Sequence, residues 1–221
     1  MSMTDDLKAA AFRRCIQNIL AECRVRPPAV EAIVAAYTES WRTYHNQRYL
    51  VQLLQQVDQL ALGDDVRLPL ELLIVYHKVW YKLGRERGEN ERRSVAWAIN
   101  DLYPGLVQTA ATPEQQLTIN LLQQGIGATT TYSLNAVDRD FREIVTLLLD
   151  LKRWILGQPL AAFMADIERV RQEQLIIMDD AEFTRTLSVW AQNLLAADTI
   201  YQHPRFAPLE IQARTNLITL R

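Results

Sequence analysis

Seven glycines in 221 residues, and no run in which β-branched and polar residues alternate, restrict this chain to helices. Sheet proteins need period-two alternation or β-branched runs bounded by glycine-rich turns. Here the breakers fall at regular intervals between long stretches of helix formers. Thr4 with Asp5 and Asp6 supplies a cap and an acidic first turn for a helix reaching about Arg24. Pro27 and Pro28 stop it and start the next, a long segment from Ala29 to Leu62 that Gly63, Asp64 and Asp65 end. Pro69 is expected to open the helix carrying "LLIVYHKVWYKL", residues 72–83. "GRERGEN" is a polar loop, and Asn90 is the expected N-cap of the segment to Tyr103, which Pro104 and Gly105 terminate. Thr112-Pro113-Glu114-Gln115 has the form of a capping box and starts a helix toward Tyr132. "DRDFREIVTLLLDLKRWI" runs to Gly157, Pro159 opens the next helix, Asp179 and Asp180 begin another, and "PLEIQARTNLITL" closes the chain. The expectation is an all-α fold of about nine helices in one compact domain over residues 1–221, with only a weak seam near 157–159.

Charge and cysteine content narrow the setting. A net charge of −2 and a pI near 6.0 give no bulk attraction to nucleic acid or an anionic membrane, so neither is an expected partner. Cys15 and Cys23, eight residues apart in a helical segment, would lie about 12 Å apart along its axis. That is too far for a disulfide and suits reduced thiols in a cytosolic protein. The start, "MSMTDDLKAA", is acidic and polar rather than a signal peptide, and no apolar run approaches a membrane span. A cytoplasmic location is the expectation.

Common catalytic signatures are missing: there is no glycine-rich phosphate loop, no Cys-x-x-Cys, no His-Glu-x-x-His and no nucleophile elbow. The three histidines are His45 in "TYHNQRYL", His77 inside an apolar segment with Lys78 directly after it, and His203 in "IYQHPRF". A series of spaced stretches surrounds the first two. Tyr44, His45 and Asn46 precede Tyr49. Tyr76, His77, Lys78 and Val79 precede Trp80 and Tyr81. Asn90 and Glu91 precede Ser94, and Ile126, Ala128 and Thr129 precede Tyr132. Leu149 and Asp150 precede Lys152, Arg153, Ile155, Leu156 and Gly157. The tail adds Arg171, Glu173, Tyr201, Glu210, Arg214 and Asn216.

In order and spacing, over nearly the whole chain, this series resembles the predicted metal-dependent HD-superfamily phosphohydrolases of bacteria. The resemblance implies an HD-like helical domain in which His and Asp side chains hold a divalent metal that activates water for attack on phosphorus. It also marks departures. Where such enzymes carry metal-binding histidines, this chain has Tyr49 and Tyr132; where they carry aspartates, it has Lys78 and Lys152. His77 alone keeps a ligand position.

Protonated lysine has no lone pair, and one histidine does not hold a catalytic metal, for which three or more ligands are usual. The pattern therefore points to a non-catalytic relative that uses no metal or cofactor. Its pocket, made of His45, Tyr49, His77, Lys78, Tyr132 and Lys152, would take an anionic small molecule bearing phosphate or carboxylate, or serve a protein partner. Asn46, Asn90, Glu91 and Asp150 are accessory positions, and Glu91 and Asp150 are candidate partners for the lysines, which should meet across the pocket. The alternative is an active metal-dependent phosphohydrolase with Asp150, His45, His77 and Glu91 forming a displaced metal centre. A third reading is a structural protein whose pocket has closed around aromatic rings. Plainer roles also exist for single residues: His77 as a core histidine with a backbone partner, Lys78 reaching solvent along its stem, Asn90 and Glu91 as a cap, and Lys152 with Arg153 as cations at a helix C-terminus.

Overall fold

The computed structural model describes residues 3–106 and 110–221, with side chains from residue 10 onward. Among them are ten α-helices and no strand: α1 (Met3–Ala21), α2 (Pro27–Tyr37), α3 (Gln47–Gln59), α4 (Asp64–Tyr76), α5 (Glu89–Leu102), α6 (Pro113–Thr131), α7 (Arg142–Arg153), α8 (Leu160–Gln174), α9 (Asp180–Leu195) and α10 (Glu210–Ile218). The cap read at Thr4, Asp5 and Asp6 lies outside the described side chains. No helix among the described residues is long and apolar enough to cross a membrane.

α4 is the axis of the molecule. Every residue from Leu70 to Tyr76 is buried, and a helix apolar all round has to be enclosed on all sides. α1, α3, α5, α6 and α7 pack around it. α6 approaches it closely at Gly125, where a Cβ would stand 2.8 Å from the Leu73 methyls. Only a hydrogen fits there. α7 is two-faced, and Val145 and Leu147 to Leu151 turn inward. Burying side chains of this size stabilises by about 1.5–3 kcal/mol each, so the α4–α7 contact holds much of the fold.

Several boundaries differ from the sequence reading. The segment from Ala29 to Leu62 is two helices, because residues 38–46 leave the helical path. Side chains replace the backbone ladder there. Arg42, 3% exposed, donates to the carbonyls of Lys78 and Val79 at 2.8 and 3.2 Å. Asn46 caps α3 by accepting from the N–H groups of Arg48 and Tyr49. α4 begins at Asp64 rather than Pro69, which sits inside the helix and removes only the bond to the carbonyl one turn back. α1 ends at Ala21, and Arg24 takes a left-handed φ of 55°. Asn90 is not a cap: Gly88, with φ 81°, precedes α5. The Asn90 side chain instead brackets Lys82, accepting from its N–H and donating to its carbonyl at 2.9 Å each. The capping box at Thr112 and Gln115 is present, and both cysteines are free. The seam near 157–159 is pinned by Asn216 of α10, whose amide donates to the carbonyls of Leu156 and Gln158 at 2.7 Å each.

α4, α6 and α7 present their C-terminal ends to one cavity: Lys78 follows α4, Tyr132 caps α6, and Lys152 and Arg153 lie in the last turn of α7. Helix C-termini carry partial negative charge, which favours cations at these places.

Candidate functional site

The cavity has a volume of about 400 Å³. One side is cationic and hydroxylic, built from Lys78, Lys152, Arg153, Tyr49, Tyr132 and His45. The other is apolar, contributed by α8, α9 and the turn between them through Ile167, Val170, Met178, Phe183, Leu187 and Trp190. Tyr49 reaches in from the first turn of α3, and Tyr44 and Thr129 complete the floor.

Positive charge dominates the floor. Among the described residues, one carboxylate comes within ion-pair distance of these three cations: Glu91, whose Oε1 lies 3.6 Å from Lys78 Nζ. Lys152 has no ion pair among the described residues. Its ammonium instead lies 5.3 Å from the centre of the Tyr132 ring, which the Arg153 guanidinium approaches at 4.5 Å. Lys78 makes a similar contact with Tyr81 at 4.7 Å. Such cation–π contacts contribute about 0.5–2 kcal/mol each. Burial, and then the Lys152 ammonium, push the Lys78 pKa down to about 8. Burial does the same to Lys152, again to about 8. Both remain largely cationic at neutral pH. Tyr132 occupies its place with a left-handed φ of 54°, a conformation that costs a non-glycine residue about 1–2 kcal/mol.

Beside the lysines, His45 is oriented by a carboxylate from a distant helix. Its Nδ1 lies 2.6 Å from Oε1 of Glu173, while Oε2 accepts the N–H groups of Tyr44 and His45 at 3.1 and 3.0 Å. Burial alone would raise the Glu173 pKa, but these bonds outweigh it and hold the carboxylate at about 2. Burial lowers the pKa of His45 to about 4 against the pull of Glu173. The ring is therefore neutral, with its proton on Nδ1. Nε2 is left as an acceptor, with no partner among the described residues.

His77 has a different fate. It is fully buried, with Nδ1 2.8 Å from the Ile74 carbonyl and Nε2 3.1 Å from the Tyr49 hydroxyl. Nδ1 therefore donates and Nε2 accepts, so both ring nitrogens are occupied, and Tyr49 stands between His77 and the cavity.

The remaining accessory positions do not gather here. Asp150 points away from Lys152 and accepts the N–H groups of Gln202 and His203 at 2.9 and 2.7 Å. It is no partner for the lysines. Asn46 is spent on capping α3 and Asn90 on bracketing Lys82. The displaced metal centre of Asp150, His45, His77 and Glu91 is thus not assembled. More widely, no group of three His, Cys, Asp or Glu side chains among the described residues is placed to hold a metal ion. The donors at the floor, two ammonium groups and two phenols, do not fit a divalent cation.

Two contributors escaped the sequence reading of the site. Arg153 adjoins Lys152, and that adjacency was the available signal. Glu173 lies 128 residues from His45, and no local pattern ties the two. Comparison of the chain with models of protein families, with curated proteins and with solved structures gives no match.

Proposed function

We propose that this protein binds an anionic small molecule, phosphate- or carboxylate-bearing, in the cavity between Lys78, Lys152 and Arg153, without a metal and without chemical turnover. The observation that carries the reading is the charge balance: among the described residues, the three floor cations have one carboxylate within ion-pair distance, Glu91 beside Lys78, while Arg153 donates one N–H to the Ile200 carbonyl. Buried charges ordinarily carry paired partners. An anion between the lysines would supply the missing charge, and the Tyr132 hydroxyl and Arg153 are chemically suited to donate to its oxygens. His45 Nε2, an acceptor, suits a hydroxyl or a protonated phosphate oxygen.

The resemblance to HD-superfamily phosphohydrolases belongs to this proposal. Tyr49, Lys78, Tyr132 and Lys152 come from separate parts of the chain, yet all line one cavity. Four metal-ligand positions of a common ancestor would do so. In this reading the scaffold survives and two ammonium groups take over the charge of the lost ion.

The test is a calorimetric and thermal-shift screen with phosphate, sulfate and small organic acids. Binding should raise the melting temperature, weaken as salt rises, and be lost in Lys78→Ala and Lys152→Ala. Anion binding that ignores both substitutions rejects the proposal, as does one equivalent of tightly held metal on His77.

A further inference from the structure

Resting on that anion-site reading, we infer that the natural ligand is an amphiphile: one phosphate or carboxylate head seated between Lys78 and Lys152, carrying an alkyl or aryl body that lies along the apolar wall of α8 and α9. The wall is the argument. A bare inorganic anion would occupy only a small part of about 400 Å³, a volume in the range of organic-ligand pockets. α8, α9 and the turn between them contribute Ile167, Val170, Met178, Phe183, Leu187 and Trp190 to the same cavity. Phe183 and Ile167 are 6% and 7% exposed, whereas Trp190 at the rim is 38% exposed. Apolar side chains in one cavity with two ammonium groups raise the cost of keeping those charges out of water. A site for phosphate alone is better built from water and polar groups. The wall becomes favourable when an apolar body covers it. Polar groups on that side are few: Gln174 and Thr186 are the ones lining the cavity. A nucleobase, with several donors and acceptors to satisfy, is poorly matched to it. A hydrocarbon chain or an unsubstituted ring is well matched.

The experiment is an isothermal titration series with inorganic, methyl, butyl and octyl phosphate, together with adenosine monophosphate and the uncharged octyl glucoside. Affinity should rise about fourfold for each methylene that reaches the wall. Adenosine monophosphate should bind no tighter than methyl phosphate, and octyl glucoside should not bind. Leu187→Asp and Trp190→Ala should flatten the gain per methylene. Lys152→Ala should lower every member of the phosphate series.

A series that is flat from inorganic to octyl phosphate overturns the amphiphile and leaves the anion site standing. Absence of binding by every phosphate, or octyl phosphate binding that survives Lys152→Ala, overturns the anion site itself. Equal affinity for octyl glucoside removes the head from the inference. Sedimentation with phosphatidate vesicles separates two sources of the same chemistry. Retention abolished by Lys152→Ala assigns the ligand to a bilayer; a solution series with the expected slope and no retention assigns it to a free amphiphile.

Discussion

The polar contacts that tie residues 200–216 to the end of α7, and the cavity floor, both bury charge, and they do so in opposite ways. In the tail, each polar group has its partners, most of them backbone. Asp150 takes the N–H groups of Gln202 and His203. Glu210 takes those of Ile200 and Tyr201, and also accepts from Arg214 Nε at 2.8 Å. Asn216 holds the carbonyls of Leu156 and Gln158. At the floor, by contrast, Lys152 has no ion pair among the described residues and lies against the Tyr132 ring, and Lys78 meets Glu91 at 3.6 Å. Polar groups that fold a chain are saturated; groups left with capacity beside a cavity are available to a ligand. His77 and Lys78 show the same contrast within two residues, one closed on both nitrogens, the other open.

Four substitutions, in falling order of expected effect, and two pH series on the wild type would break or sharpen this contrast. Glu173 is a saturated group at the edge of the cavity, and Glu173→Ala should destabilise by about 3–5 kcal/mol in urea unfolding, because three donors lose a buried carboxylate. The wild type should show the same linkage in acid. The folded pKa values of His45, about 4, and Glu173, about 2, lie below the ordinary ones. The unfolded chain therefore takes up protons first as pH falls. The stabilising contribution is complete above about pH 6.5, the ordinary value for histidine, and is lost as pH drops through 4 toward 2. A melting temperature unchanged between pH 7 and 4 would show that His45 is not held neutral beside Glu173.

Tyr49→Phe should cost about 1–2 kcal/mol, since His77 Nε2 loses its one donor. No loss would mean that His77 is not closed off.

Lys152→Met is expected to act in the opposite direction, raising apo stability by about 1 kcal/mol while anion binding disappears. In the wild type, anion affinity should fall as pH rises through about 8, where Lys78 and Lys152 release their protons. Affinity constant to pH 10 would show that neither lysine neutralises the ligand.

The smallest effect is expected for Tyr132→Gly. Release of a left-handed backbone gains about 1 kcal/mol, and loss of the ring over Lys152 and Arg153 returns a similar amount. A near-zero change in stability with weaker anion binding is the expected result in calorimetry.

Much of the helical plan could be read from the chain because helix signals are local. Gly63, the Thr112 box, Pro159 and Asp179 act within one turn, and each marks a helix end in the structure. The errors fall where distant side chains override that grammar. Residues 38–46 look helical by composition, but Arg42 is drawn to the carbonyls of residues 78 and 79, and Glu173 captures the backbone at 44 and 45. Asn90 has the form of a cap, yet the nearby Lys82 backbone offers it two bonds at once.

The sequence by itself determined that this protein is all-α, where most of its helices stop, and that lysines and tyrosines stand at spaced positions among recurring motifs. The family resemblance already implied one pocket for Tyr49, His77, Lys78, Tyr132 and Lys152; tertiary structure decided that Asp150 and His77 turn away from the cavity that the other four line. It also decided that Arg153 and the apolar wall of α8 and α9 join them, and that Glu173 orients His45. The reason is physical. Helix caps and breaks depend on residues within a few positions of one another, whereas burial and charge pairing depend on which helices pack together. That packing is set by the buried faces of α4 and α7, which bring together side chains from positions 45, 49, 78, 132 and 152.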